Sequence, residues 1–129
     1  MIALVATSGG DFAVDLETEE VEPWGGGVPE AAVPELRLPR LVAAAQSGST
    51  VVAVVDAKPP LLVSHDAGVT WRRSGRGLPN GVAVALADDP DVVVFAARNR
   101  LYLSRDGGLF WTALSVELPE IRIISVSIS

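Results

Sequence analysis

The chain has 129 residues, 49% hydrophobic and 20% charged, with a net charge of −6 and a single histidine. That length fits one domain, and the acidic balance argues against a general nucleic-acid role, which needs basic surface to neutralise phosphates. Cysteine is absent, excluding disulfides and thiolate chemistry, and no apolar run approaches the ~18 residues of a membrane-spanning helix.

The apolar runs are short, rich in Val, Leu and Ile, and bounded by Gly, Pro, Asp, Asn and Ser, so they read as strands. Three come first, at residues 2–6, 12–16 and 21–24. A glycine-rich loop containing Gly25, Gly26 and Gly27 follows. Four strands are then expected, at 41–45, 51–55, 61–63 and a short run through Trp71. Ala43, Ala44 and Ala45 favour a helix, but Pro39 and Gly48 leave little room for one. The same order returns at 82–86, 92–97, 101–103 and a run through Trp111, and a last apolar strand spans 121–128. The first run, from Met1, lacks a basic start and a long apolar stretch, so it reads as a strand rather than a secretion signal. A cytoplasmic location is therefore expected.

These elements repeat. The segment from Ser64 to Trp71 returns forty residues later from Ser104 to Trp111, sharing the frame Ser-x-Asp-x-Gly-x-x-Trp. Leu-Pro recurs in the same phase at Leu38, Leu78 and Leu118. Four strands per unit of about 40 residues is the blade of a β-propeller. Trp24 lies 47 residues before Trp71, and the extra length fits the glycine-rich loop. By phase, the tail is the first strand of a blade and the head is its other three. The expected division is 1–24 as the last three strands of a split blade, 25–71 and 72–111 as two blades, and 112–129 as the split blade's first strand. In that split unit, Glu17 to Trp24 keeps the Trp and puts acids at the Ser and Asp positions, but has no Gly, and reads as a degenerate copy.

The repeated frame resembles the Asp-box, or bacterial neuraminidase repeat. Ser64, Asp66, Gly68, Thr70 and Trp71 match it throughout; Ser104, Asp106, Gly108 and Trp111 match it with Phe110 where Thr is usual. The resemblance implies hairpin turns between the third and fourth strands of each blade, on the blade periphery. Such boxes occur in sialidases, other glycan-active propellers, sorting-receptor ectodomains and photosystem assembly factors. The frame also explains itself structurally: Asp caps its own turn's N–H groups, Gly supplies positive φ, and Trp covers apolar surface.

Propellers close with about four to eight blades, so three imply a partner. The expectation is an all-β, strand-exchanged homodimer in which each tail completes the other chain's head, giving a six-bladed ring. A trimer, or a separate protein supplying further blades, are the alternatives.

No residue set identifies a reaction. The only tyrosine, Tyr102, sits in a third strand and suits packing, so the catalytic set of the sialidases is not matched. The acids at Glu17, Glu19, Glu20 and Glu22, and at Asp88, Asp89 and Asp91, fall at turns and read as solvated. His65 has no second His or Cys to share a metal, so neither metal nor cofactor is expected. Arg72, Arg73 and Arg76 read as a solvated strand end, with contact to an anionic partner as the sharper alternative. Ligand binding is expected at the channel mouth, on Arg40, Asn80, Glu120 and Arg122, for a small anion or a peptide. The reading is a non-catalytic binding or assembly scaffold; a glycan-active enzyme with its site across the dimer, or a purely structural reduced propeller, are the alternatives. Nine Arg against one Lys points to a GC-rich genome, and a thermophile is the compositional guess.

Overall fold

The computed structural model describes residues 1–127; Ile128, expected in the last strand, and Ser129 lie outside the described residues. The strands are β1 Ile2–Thr7, β2 Gly10–Asp15, β3 Val21–Pro23, β4 Leu41–Ser47, β5 Thr50–Val55, β6 Leu61–Ser64, β7 Arg72–Ser74, β8 Ala83–Leu86, β9 Val93–Ala96, β10 Arg100–Ser104, β11 Thr112–Glu117 and β12 Ile121–Ser127. They form three antiparallel four-stranded sheets, as the apolar runs require. The first blade is β4-β5-β6-β7, the second β8-β9-β10-β11, and the closing blade β12-β1-β2-β3.

Two expectations need correction. The fourth strands start after the tryptophans, because Trp71 and Trp111 still belong to the turns and ladder pairing begins at Arg72 against Val63 and at Thr112 against Leu103. Boundaries at 71/72 and 111/112 therefore cut through hairpins, and the two blades run from residues 41 to 74 and 83 to 117.

The second correction concerns the split blade. It is completed within one chain, not by strand exchange: β12 pairs with β1 of the same molecule, in a register from Ile2 opposite Ser127 to Thr7 opposite Ile121. The physical reason is the linker. Residues 24–40 join the outer strand β3 to the inner strand β4, and a segment of that length spans up to about 55–60 Å when extended. The chain can therefore return from its closing blade to its first without a sister molecule.

Two apolar layers hold the blades together. Ala45, Val52, Val54, Leu61 and Val63 of the first blade pack on Val84, Val93 and Phe95 of the second. The second blade's other face, with Ala85, Val94 and Leu101, packs on Ala3, Val5, Val14 and Ile124 of the closing blade. Alternate residues of β9 thus face different neighbours, so all four are buried and the strand reads as a continuous apolar run. Each fully buried Val, Leu or Phe contributes about 1.5–3 kcal/mol. Phe95 is fully buried; its ring lies 5.8 Å from that of Tyr102 and 6.1 Å, edge-on, from that of Trp111.

Candidate functional site

β8 packs against both β4 and β12, while β4 and β12 make no comparable contact with each other among the described residues. The three inner strands form an open arc around a cavity of about 500 Å3. Val42, Val82 and Ile123 make much of its wall apolar, and Arg122 adds a charge. Glu30 and Val33 of the 24–40 linker also line it. Val33, Val42 and Val82 are 63%, 48% and 37% exposed, so the arc presents apolar surface to solvent.

Of the four residues expected at the channel mouth, Arg122 alone lines this cavity. Arg40, Asn80 and Glu120 are exposed just ahead of β4, β8 and β12, at equivalent points of the repeat. Arg40 has φ 59°, which bends the chain as it enters β4. Glu120 stands 3.7 Å from Arg98, both on the surface, where such pairs contribute little. The linker's contribution was not anticipated; its only sequence signal was the long interval between Trp24 and Trp71.

The two repeated turns have one geometry. In the first, the Ser64 hydroxyl donates to Asp66 Oδ1 at 2.7 Å and accepts from the Gly68 N–H at 2.8 Å. Asp66 also accepts from the N–H and hydroxyl of Thr70. In the second, Ser104 donates to Asp106 at 2.7 Å and accepts from Gly108, while Asp106 accepts from the N–H groups of Leu109 and Phe110. Phe110 can replace Thr because its backbone N–H suffices. Gly68 and Gly108, at φ 90° and 93°, occupy the left-handed region that favours glycine.

These bonds favour the ionised carboxylates. The Thr70 hydroxyl, then its N–H and the Ser64 hydroxyl, lower Asp66 to about 2. The Phe110 N–H and the Ser104 hydroxyl lower Asp106. Both carboxylates are committed to their own turns, which leaves them a structural role.

The degenerate third turn works differently. Asp15, two residues before the aligned frame, accepts from the N–H groups of Glu17 and Thr18; the Thr18 bond, then the Glu17 bond, lowers its pKa. Glu19, at the position of the box Asp, instead accepts from the N–H and hydroxyl of Ser115 on the second blade.

Tyr102 is half-buried against Phe95, as expected for a packing residue. His65 is exposed, with Nδ1 3.3 Å from the Thr50 hydroxyl. Among the described residues no group of three acids, His or Cys converges for a metal, and no helix is long and apolar enough to cross a membrane.

No protein-family model and no curated protein matches the chain. Among solved structures it is similar to YCF48 bound to a D1 peptide, at 18% identity and a TM-score of 0.52, over 92% of this chain and 37% of that one. It is also similar to YCF48 from Cyanidioschyzon merolae, at 26% identity and a TM-score of 0.49, over 90% and 33%. The first likeness supports the β-propeller fold. The chain spans little more than a third of that structure's length.

Proposed function

We propose that this chain is a non-catalytic binding or assembly scaffold of the Asp-box propeller type, which works as a six-bladed ring of two copies and takes its ligand at the channel mouth. The observation that carries this reading is the open arc. Three blades surround a cavity whose apolar wall is exposed to solvent, and propellers close with about four to eight. Two copies supply six, the first blade of each meeting the closing blade of the other under two-fold symmetry. No strand needs to be exchanged.

The surfaces for this contact are the outer faces of the arc. The closing blade offers Ile2, Ala6, Ala13 and Ile123, all half-buried. On the first blade, Ala53 and Val55 are buried yet belong to neither core layer. In the 24–40 segment Pro34, Leu36 and Leu38 are half-buried, with Glu35 and Arg37 exposed between them.

The ligand we favour is a peptide segment of a protein partner, lying against Val42 and Val82 with Arg122 and Arg40 pairing its acidic groups. The D1 peptide bound by a chain of similar fold supports a protein partner. Light scattering after size exclusion is expected to give two chains per particle. A stable monomer at micromolar concentration would overturn the ring. On an array of acidic peptides, Arg40→Ala with Arg122→Ala is expected to abolish capture without dissociating the dimer; undiminished capture would remove the channel mouth as the site. A panel of chromogenic glycosides is expected to show no turnover, and turnover would replace the scaffold reading with an enzyme.

A further inference from the structure

A second site lies on the outer edge, away from the channel. Between the fourth strand of the first blade and the turn of the second is a cleft of about 150 Å3, lined by Arg72, Arg73, Arg76, His65, Gly107 and Leu109 among others. Three arginines within five residues border it on a chain of net charge −6; Arg72 shares the face of β7 that Ser74 turns to the second blade, and Arg73 leaves the opposite face. All three are exposed, and none has a carboxylate at ion-pair distance among the described residues.

The repeat supplies an internal comparison. The cleft between the second and closing blades is lined by Leu103, Arg105 and Thr112, forty positions after Val63, His65 and Arg72 of the first cleft. In that second copy Arg105, the counterpart of His65, stands 3.5 Å from Glu17, which also lines the cleft, while Thr112, Ala113 and Val116 stand where the first copy has its arginines. In the first copy, Gly107 and Gly108 occupy the facing turn where the closing blade brings an acid. Asp91 stands beside the same turn: the Cβ position of Gly107 is 3.6 Å from Asp91 Oδ1 and 3.2 Å from His65 Cε1, and the backbone N–H of Gly107 is bonded to the Asp91 carbonyl. The arginines are thus peculiar to the first copy, and none of them has a carboxylate at ion-pair distance among the described residues.

The geometry points to an anion-binding site in the cleft between the first and second blades, built for a phosphate-type oxyanion. Size and charge decide the class. The volume is well below the ~300–1,000 Å3 of sites that enclose a whole drug-sized ligand, so the cleft holds a headgroup. A carboxylate brings one charge and two oxygens and would leave part of the positive charge of Arg72 and Arg76 unmatched. A phosphomonoester brings a charge of about −1.5 to −2 at neutral pH and three strong acceptor oxygens, and guanidinium forks match its geometry bidentately. The edge position of β7 in its sheet leaves outward N–H groups that can add to the donor set. His65 presents its Cε1 and Nε2 edge toward Gly107, with Cε1 3.2 Å and Nε2 3.7 Å from the glycine's Cβ position.

The site lies within one chain, so its test is independent of the ring. The protein is titrated with inorganic phosphate and with phenyl phosphate at constant ionic strength, reading backbone amide NMR shifts. Saturating shifts confined to residues 72–76 and 107–109 are expected, while acetate under the same conditions gives none. Arg72→Ala with Arg76→Ala is expected to weaken phosphate at least about tenfold, as for loss of charge-assisted hydrogen bonds. Arg98→Ala, on the exposed Arg98–Glu120 pair, leaves the affinity unchanged. Shifts that stay linear in phosphate, acetate binding as well as phosphate, or an unchanged affinity in the double variant would each overturn the site. The ligand comparison is made on the wild-type protein, so it stands even if a variant misfolds.

Discussion

Gly81 lies where the repeat places Leu41 in the first blade and Ile121 in the closing one, and Phe95 lies where the first blade has Val55. Leu41 and Val55 are paired across β4 and β5. The second blade has exchanged the sizes, with no side chain at one position and a large ring at the other. A Cβ on Gly81 would sit 2.0 Å from Cε1 and 2.5 Å from Cζ of Phe95, and 3.0 Å from Cγ1 of Val54. Ordinary contact begins near 3.4 Å, so the ring must retreat by more than an ångström. It has little room to do so, being fully buried between Tyr102 and Trp111. Gly81→Ala is therefore expected to cost about 3 kcal/mol, the upper end for overpacking, and to lower Tm by roughly 12 °C in a chain of this length. Urea unfolding followed by tryptophan fluorescence measures the loss. In a Phe95→Val background, where the obstructing ring is gone, the same change should cost little, a coupling of about 2 kcal/mol in the double-mutant cycle. A Gly81→Ala variant within about 0.5 kcal/mol of the parent, or an equal loss in both backgrounds, would refute the exchange of sizes.

Acid should weaken the blades through their turns. Asp66 is held at about 2 against 3.8, and Asp106 and Asp15 are also lowered; depressed carboxylates stabilise the fold above their unfolded pKa and lose that contribution as pH falls through the folded one. Stability is therefore expected to drop as pH falls from about 4 toward 2, and Asp66→Asn to flatten that slope in pH-dependent urea titrations; an unchanged slope would dissociate Asp66 from acid sensitivity. Ala67 has φ 60° where the second turn has Gly107 at φ 73°. Relief of left-handed strain, about 1–2 kcal/mol, outweighs the added flexibility of the unfolded chain, so Ala67→Gly should stabilise by about 0.5 kcal/mol, and a loss in thermal denaturation would contradict it. The Ser74 hydroxyl joins two blades, donating to the Gly108 carbonyl and accepting from Trp111 Nε1 at 3.0 Å. Ser74→Ala should cost about 1–2 kcal/mol in urea unfolding; an effect below about 0.3 kcal/mol would rule out the link.

Much of the architecture was written in spacing. The forty-residue phase places β4 to β6 beside β8 to β10, because each strand must show alternate residues to two neighbouring sheets, and the turns follow from Ser, Asp and Gly at fixed offsets. Chain identity was not legible. The apolar pattern of β12 is satisfied equally by β1 of its own molecule or of another, and only the path of residues 24–40, which form no strand, distinguishes them. The third turn misled for a related reason. Alignment put Glu17 and Glu19 in the roles of Ser and Asp, but capping one's own turn suits a short side chain. Asp15 takes that task, while Glu19, longer and at φ 61°, reaches Ser115. For Arg40, Asn80 and Glu120 the repeat located the backbone without fixing what each side chain lines.

The pairing of β1 with β12 also governs how the molecule is made. Ile2 and its partner Ser127 are 125 positions apart. During synthesis at about 5–20 residues per second, roughly 6–25 seconds separate these two positions at the ribosome. Through that interval β1 has β2 on one side and an unpaired apolar edge on the other, while the first and second blades each complete their sheets from contiguous sequence. Of the three sheets the closing one is thus the last to form, and its waiting edge is where a ribosome-associated chaperone would engage.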